Sequence, residues 1–255
     1  MVGRFDEGAG RFSVTMGVGE VAQAVSREID AVWPLTGRSP FVIGVGGSVA
    51  VGKSTLAEDV SALAASRKGW SVTTIGTDGF LFPNRVLAER GLLDRKGEPN
   101  TYDEAALLRV IADVREGANA LEVPRYSHRT FDVEPGGQIL IGDVVIIEGV
   151  NALQPDLVVA YDLSVYLDAD EEVIVGWFVE RFLAMVAAAE SDPESFYRRF
   201  VDLDASGRVS MARAVWSSIN GPNLHRFIAP TKDSADVVVT LDADHRAIGV
   251  TRRIR

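Results

Sequence analysis

A chain of 255 residues, 47% hydrophobic and 24% charged, has enough material for one large α/β domain with a real core, or for two small ones. A formal charge of −10 and an isoelectric point near 4.9 exclude a general nucleic-acid or anionic-membrane surface. The absence of cysteine excludes disulfides, thiolate catalysis and cysteine-ligated zinc.

The chain opens with MVGRFDEGAG, where Arg4, Asp6 and Glu7 occupy positions that a secretion signal would fill with apolar residues. A flexible segment over 1–17, then a single domain over 18–255, is the expected organisation. The first apolar run, Phe41–Val45, reads as a buried strand. It feeds a phosphate-binding loop, Gly47-Ser48-Val49-Ala50-Val51-Gly52-Lys53-Ser54, followed by helical spacing over Thr55–Ala65. Such a loop turns several backbone N–H groups toward one concavity, and the helix N-terminus adds about half a positive charge there. Polyphosphate fits that geometry. Lys53 is placed to reach the outer phosphates, and the Ser54 hydroxyl to join the coordination of a magnesium ion.

A second strand is expected at Val72–Ile75, and Asp78 follows it in GTDGF. At the same sheet edge as the phosphate loop, this carboxylate can accept the proton of an attacking hydroxyl. The competing reading is a plain Asp-Gly turn. A helix over Asp103–Arg115 comes next, and then LEVPRYSHRTFDVEPGGQILIG breaks the alternation. Pro135-Gly136-Gly137 signals its turn, giving a hairpin-like excursion over the active face. Within it His128 is either a substrate donor or a loop histidine bonded to backbone.

The third run, Val144–Ile147, closes on Glu148, an acid that can hold magnesium or orient Asp78, or else a helix-capping or turn carboxylate. Lys53, Asp78 and Glu148 together make the minimum set for phosphoryl transfer. A fourth strand, Leu163–Leu167, precedes a helix over Glu171–Ala189. Its most apolar part, Val173 to Ala189, carries Glu180 and Arg181 at the centre, which is costly in a bilayer and marks a core helix. Arg181 can clamp a transferring phosphoryl group or sit in a surface ion pair. Trp177, Phe178 and Phe182 at helical spacing read as core. A helix over Arg208–Ile219 and a strand over Val237–Leu241 complete the pattern, and Arg252, Arg253 and Arg255 read as a solvated tail or a helper at a phosphate site. Buried strands alternating with helices define an α/β chain with a doubly wound, mainly parallel sheet of the P-loop NTPase type. A cytoplasmic protein using ATP follows, with neither a nucleic acid nor a membrane as partner. No Asn-Lys-x-Asp guanine signature occurs, which argues against a regulatory GTPase.

The strings GSVAVGKST, TDGFLFPNRVLAERGLLDRKGEPNTYD, PRYSH, IIEGVNALQ, ERFL, INGPNL and ADH occur in this order. They resemble the bacterial type I pantothenate kinases, in a shortened and divergent form, over roughly residues 40 to 255. The resemblance implies transfer of the ATP γ-phosphate to the primary hydroxyl of pantothenate, the first step toward coenzyme A, by a homodimer. It implies that Lys53, Ser54 and Thr55 serve ATP and magnesium and that Asp78 is the base. It places Tyr126, His128, Arg181 and Asn223 around the substrate and the transferring phosphate, and His245 near the adenine.

The departures bear on the acceptor. Phe131 and Phe178 stand where the family usually has tyrosines, so two substrate-facing hydroxyls are missing. A neutral hydrogen bond contributes about 0.5–1.5 kcal/mol, and the pair corresponds to one to two orders of magnitude in affinity. A different small alcohol, such as a sugar acid, polyol or nucleoside, is the alternative acceptor. Glu58 and Met185 replace a basic and an aromatic residue linked in the family to feedback by coenzyme A.

Overall fold

The computed structural model describes residues 19–253 and the backbone of two short strands, β1 (Arg4–Asp6) and β2 (Arg11–Ser13), which pair antiparallel. The flexible segment expected over 1–17 otherwise lies outside the described residues. The run beginning at Phe41 becomes β3 (Phe41–Gly47), with all seven residues buried. It lies at the middle of the sheet, between β7 (Val144–Glu148) and β8 (Leu163–Asp168), and runs parallel to both. Burial on both faces explains why these strands read as continuous apolar runs.

Outside β7 lies β4 (Val72–Gly76), and outside β8 lies β9 (Val237–Leu241), both again parallel. A sixth strand, β10 (Ala247–Arg252), adds antiparallel to β9, so the sheet order is β10-β9-β8-β3-β7-β4. The five predicted runs are therefore the five parallel strands. β10 was not predicted, and it corrects the reading of the C-terminal arginines. Arg252 ends that strand, and its Nε donates to Oε1 of the largely buried Glu28 at 2.6 Å. Arg255 lies outside the described residues.

Glu28 belongs to α1 (Glu20–Thr36), a helix absent from the predicted pattern, which turns Ala22, Val25 and Ile29 into the core. α2 (Lys53–Lys68) packs against α1 and against β3, β4 and β7. After the short α3 (Asn84–Glu89) comes α4 (Glu104–Arg115), started by Asp103, whose carboxylate accepts from the Ala106 N–H. Leu107, Ile111 and Val114 form its buried stripe, the four- and three-residue steps of an amphipathic helix. α5 (Pro155–Val158) leads into β8, and α6 (Glu171–Ala188) buries Ile174, Trp177, Phe178, Phe182 and Val186. No helix among the described residues is long and apolar enough to cross a membrane.

The predicted helix over Arg208–Ile219 is shifted toward the N-terminus. α7 (Ala205–Val215) starts where the Asp204 carboxylate accepts from the Gly207 N–H, and it gives way to π-type turns at Trp216–Asn220 and Leu224–Ile228.

The excursion is a two-stranded hairpin, β5 (Ala120–Ser127) with β6 (Asp132–Leu140), but its turn is not where the sequence signalled it. Residues 128–131 make the turn, with Phe131 at φ 55°. Pro135-Gly136-Gly137 lies inside β6, opposite an irregularity between Val123 and Arg125. A Cβ on Gly136 would stand 1.5 Å from the Val123 carbonyl oxygen, so glycine is required there for close backbone approach.

Candidate active site

β3 delivers the phosphate-binding loop to the carboxyl edge of the sheet, the edge where ligands bind in open α/β folds. Gly47 has φ 139°, and a Cβ there would meet the Leu167 carbonyl oxygen at 2.5 Å. α2 then begins at Lys53, behind Gly52, with no side-chain cap and no acid in its first turn. Its first N–H groups are therefore left to an anion. The Ser48 hydroxyl is buried without a hydrogen-bond partner. Such a group calls for an acceptor, and a phosphate oxygen is one. These features fit a nucleoside polyphosphate.

Lys53 is 8% exposed, and its ammonium donates to the Ser48 carbonyl at 2.7 Å. The carbonyl solvates the charge without neutralising it. Burial lowers the Lys53 pKa, Glu148 and Asp78 oppose that shift, and Arg181 adds to it. The next side chain, Ser54, donates to Oε1 of Glu148 at 2.9 Å. A hydroxyl and a carboxylate side by side are hard oxygen donors of the kind magnesium prefers. Among the described residues no group of three acidic or histidine side chains gathers to hold a metal. A cation here would complete its shell with phosphate oxygens and water, the usual arrangement for magnesium.

Asp78 sits in a tight turn, Thr77–Phe80, directly after β4. Its Oδ1 accepts from the Tyr102 hydroxyl at 2.9 Å. Burial, with Asp78 beside it, pushes the Tyr102 phenol well above its ordinary value. Across the cleft, Arg181 on α6 donates through Nη2 to Nε2 of His128, in the hairpin turn, at 3.1 Å. Tyr126, two residues earlier on β5, meets His128 edge to face at 5.1 Å.

One cleft of about 1090 Å³ takes in the loop from Val49 to Thr55, Asp78, Tyr126, His128, Glu148, Arg181 and His245. Gly47 and Ser48 lie behind the lining, and three residues predicted on the substrate side are not among it. Phe131 stacks on Phe196 at 4.2 Å, and Phe178 is buried against Trp216. Asn223 is buried at the end of a short α-helical turn, Gly221–Asn223, between the two π-type turns, where its Nδ2 donates to the Gly97 carbonyl at 2.8 Å and its Oδ1 has no partner. His245, at φ 58°, stacks on Trp177 at 3.7 Å and brings Nε2 within 3.4 Å of the Ala50 carbonyl. It thus walls the phosphate loop.

Two residues near the site were not singled out from the sequence. Tyr102 is one. The other is Lys96, whose ammonium donates to Asn84 Oδ1 at 2.6 Å and to the Phe131 carbonyl at 2.7 Å. The same ammonium lies 4.9 Å from the Tyr126 ring centroid and 4.5 Å from that of Phe131. Burial lowers Lys96 to about 8, against the opposing pull of Asp132 and Asp78. Both lie within the long string TDGFLFPNRVLAERGLLDRKGEPNTYD, which was the signal available for them.

A parallel sheet with a glycine-rich loop at its carboxyl edge, facing a carboxylate and a guanidinium across one cleft, defines the class: a P-loop kinase that uses ATP on a small molecule. The profile of the phosphoribulokinase/uridine kinase family matches residues 42–184. Pantothenate kinase of Clavibacter michiganensis subsp. michiganensis is 43% identical over 228 residues, covering 84% of this chain and 70% of that one. Pantothenate kinase of Shouchella clausii is 44% identical over 229 residues, covering 85% and 72%. Among solved structures, D-glycerate 3-kinase from Cryptococcus neoformans var. grubii shares the fold with a TM-score of 0.55 at 14% identity, covering 84% of this chain and 90% of that one. The chain belongs to the phosphoribulokinase/uridine kinase family and, within it, to the pantothenate kinases.

Proposed function

We propose that this kinase transfers the γ-phosphoryl group of ATP to the primary hydroxyl of pantothenate, the first step toward coenzyme A. The observation that carries the reading is the convergence of Lys53, Asp78 and Arg181 on one cleft, with Tyr126 and His128 on its wall, in a chain 43% identical to a pantothenate kinase. In this reading the acceptor oxygen attacks the γ-phosphorus and its proton passes to Asp78. The bond from the γ-phosphorus to the β–γ bridging oxygen breaks, and ADP leaves. Lys53 neutralises the outer phosphates, while Arg181 balances charge spread over the oxygens of a loose transition state. Ser54 and Glu148 would hold magnesium, which supplies charge neutralisation on the β- and γ-phosphates. His245, stacked on Trp177, borders the nucleotide side. A cytoplasmic homodimer is the setting that goes with this reading.

A second acceptor class is favoured by one observation. The Phe131 and Phe178 rings pack against Phe196 and Trp216 and supply no hydroxyl to the cleft. ADP release by the purified protein, measured with pantothenate and with a panel of sugar acids, polyols and nucleosides, separates the two. Turnover of pantothenate above all others is expected. No turnover of pantothenate with turnover of another alcohol would sink the first reading.

A further inference from the structure

Asp78 does not stand alone at the end of β4. The segment 101–103 is zipped onto 80–82: Phe82 N–H donates to the Thr101 carbonyl at 2.9 Å, and Asp103 N–H to the Phe80 carbonyl at 2.7 Å. Leu81 and Tyr102 form the antiparallel bridge between them. Asp103 in turn caps α4, and Thr101 is fully buried. Tyr102 is thus fixed at its backbone on both sides, and its hydroxyl reaches Oδ1 of Asp78 at 2.9 Å. Asp78 itself lines the cleft, whereas Tyr102 does not.

We propose that Tyr102 is a positioning residue for phosphoryl transfer: its hydroxyl holds Oδ1 of Asp78, so that Oδ2 is the oxygen left to face the acceptor hydroxyl. This rests on Asp78 acting as the base. A carboxylate free to rotate presents its lone pairs over a wide arc, and proton acceptance depends on reaching one hydroxyl at hydrogen-bond distance. A fixed donor on one oxygen removes that freedom in advance. The phenol is suited to the task because burial and the neighbouring carboxylate keep it protonated, so it donates and never competes for the acceptor's proton.

The test is steady-state kinetics of the full chain as Tyr102→Phe, Asp78→Asn and the double variant. The acceptor is pantothenate, or whichever alcohol the ADP-release panel identifies. Tyr102→Phe keeps the ring and removes only the hydroxyl. It is expected to lower kcat roughly ten-fold, the scale of a hydrogen bond to a charged group, with KM for ATP and acceptor nearly unchanged. In the Asp78→Asn background the same change is expected to cost nothing further, because the residue it acts through is already gone. An unchanged kcat in Tyr102→Phe, or an equal loss in both backgrounds, overturns the inference. Full activity in Asp78→Asn overturns the base assignment itself, and this inference with it.

Discussion

Arg181 donates through Nη2 to Nε2 of His128 at 3.1 Å. A guanidinium has no acceptor, so Nε2 contributes its lone pair and the imidazole is neutral, with its proton on Nδ1. Burial first, and then the Arg181 charge, hold this histidine below its ordinary value of 6.5, although Asp78 pulls the other way. The contact therefore persists at neutral pH and breaks only on acidification, when protonation sets two cations face to face. kcat is expected to fall as pH drops below the ordinary imidazole range. His128→Gln, whose amide oxygen accepts without titrating, is expected to flatten that limb in a pH profile of kcat. An identical limb in the variant would assign it to another group.

Asp78→Asn preserves shape and removes the proton acceptor. ATP affinity, read by direct titration, is expected to stay within about two-fold, while kcat falls roughly 10²- to 10⁴-fold, the usual worth of a positioned base.

Ser54 and Glu148 share a 2.9 Å hydrogen bond beside Lys53. Their proposed task is read by titrating magnesium at fixed ATP. Ser54→Ala and Glu148→Gln are each expected to raise the magnesium concentration for half-maximal activity, by roughly ten-fold or more. A requirement that does not move in either variant would place the cation elsewhere.

What the sequence makes legible is what local pattern controls. The phosphate loop is contiguous, so its geometry is written in one stretch, and the five parallel strands are continuous apolar runs because both their faces are buried. The hairpin turn was misplaced because Pro135-Gly136-Gly137 carries a strong turn signal, whereas the glycine is there to let Val123 approach. The real turn uses Phe131 at positive φ, which no propensity favours. Arg252 looks like a tail until its tertiary partner Glu28 appears. Asp78 was readable from its place after a strand. Tyr102, 24 residues away, becomes its partner only when 101–103 folds back onto 80–82.

Lys96 carries a consequence for stability. Its pKa of about 8 lies below the ordinary 10.5, chiefly through burial, so between those values the unfolded chain holds a proton that the folded chain has released. Its contribution to stability rises with pH across that window and is smallest below pH 8. Lys96→Met removes this titration. The difference in unfolding free energy between the native protein and the variant, measured by denaturant titration from pH 8 to 10, is expected to shift in favour of the native protein as pH rises. A constant difference would remove Lys96 from that role.

Phe131 is tied down from three directions. Its carbonyl accepts from Asn84 and Lys96, its ring stacks on Phe196, and its neighbour Asp132 accepts from the Asn84 N–H. The turn that carries His128 is thus a joint property of chain segments near 84, 96 and 196, none of them adjacent in sequence. A change at position 131 alone alters the ring contact with Phe196 and leaves in place the carbonyl and Asp132 ties that set the turn. Laboratory evolution of acceptor choice should therefore proceed through linked sets of substitutions drawn from those segments together.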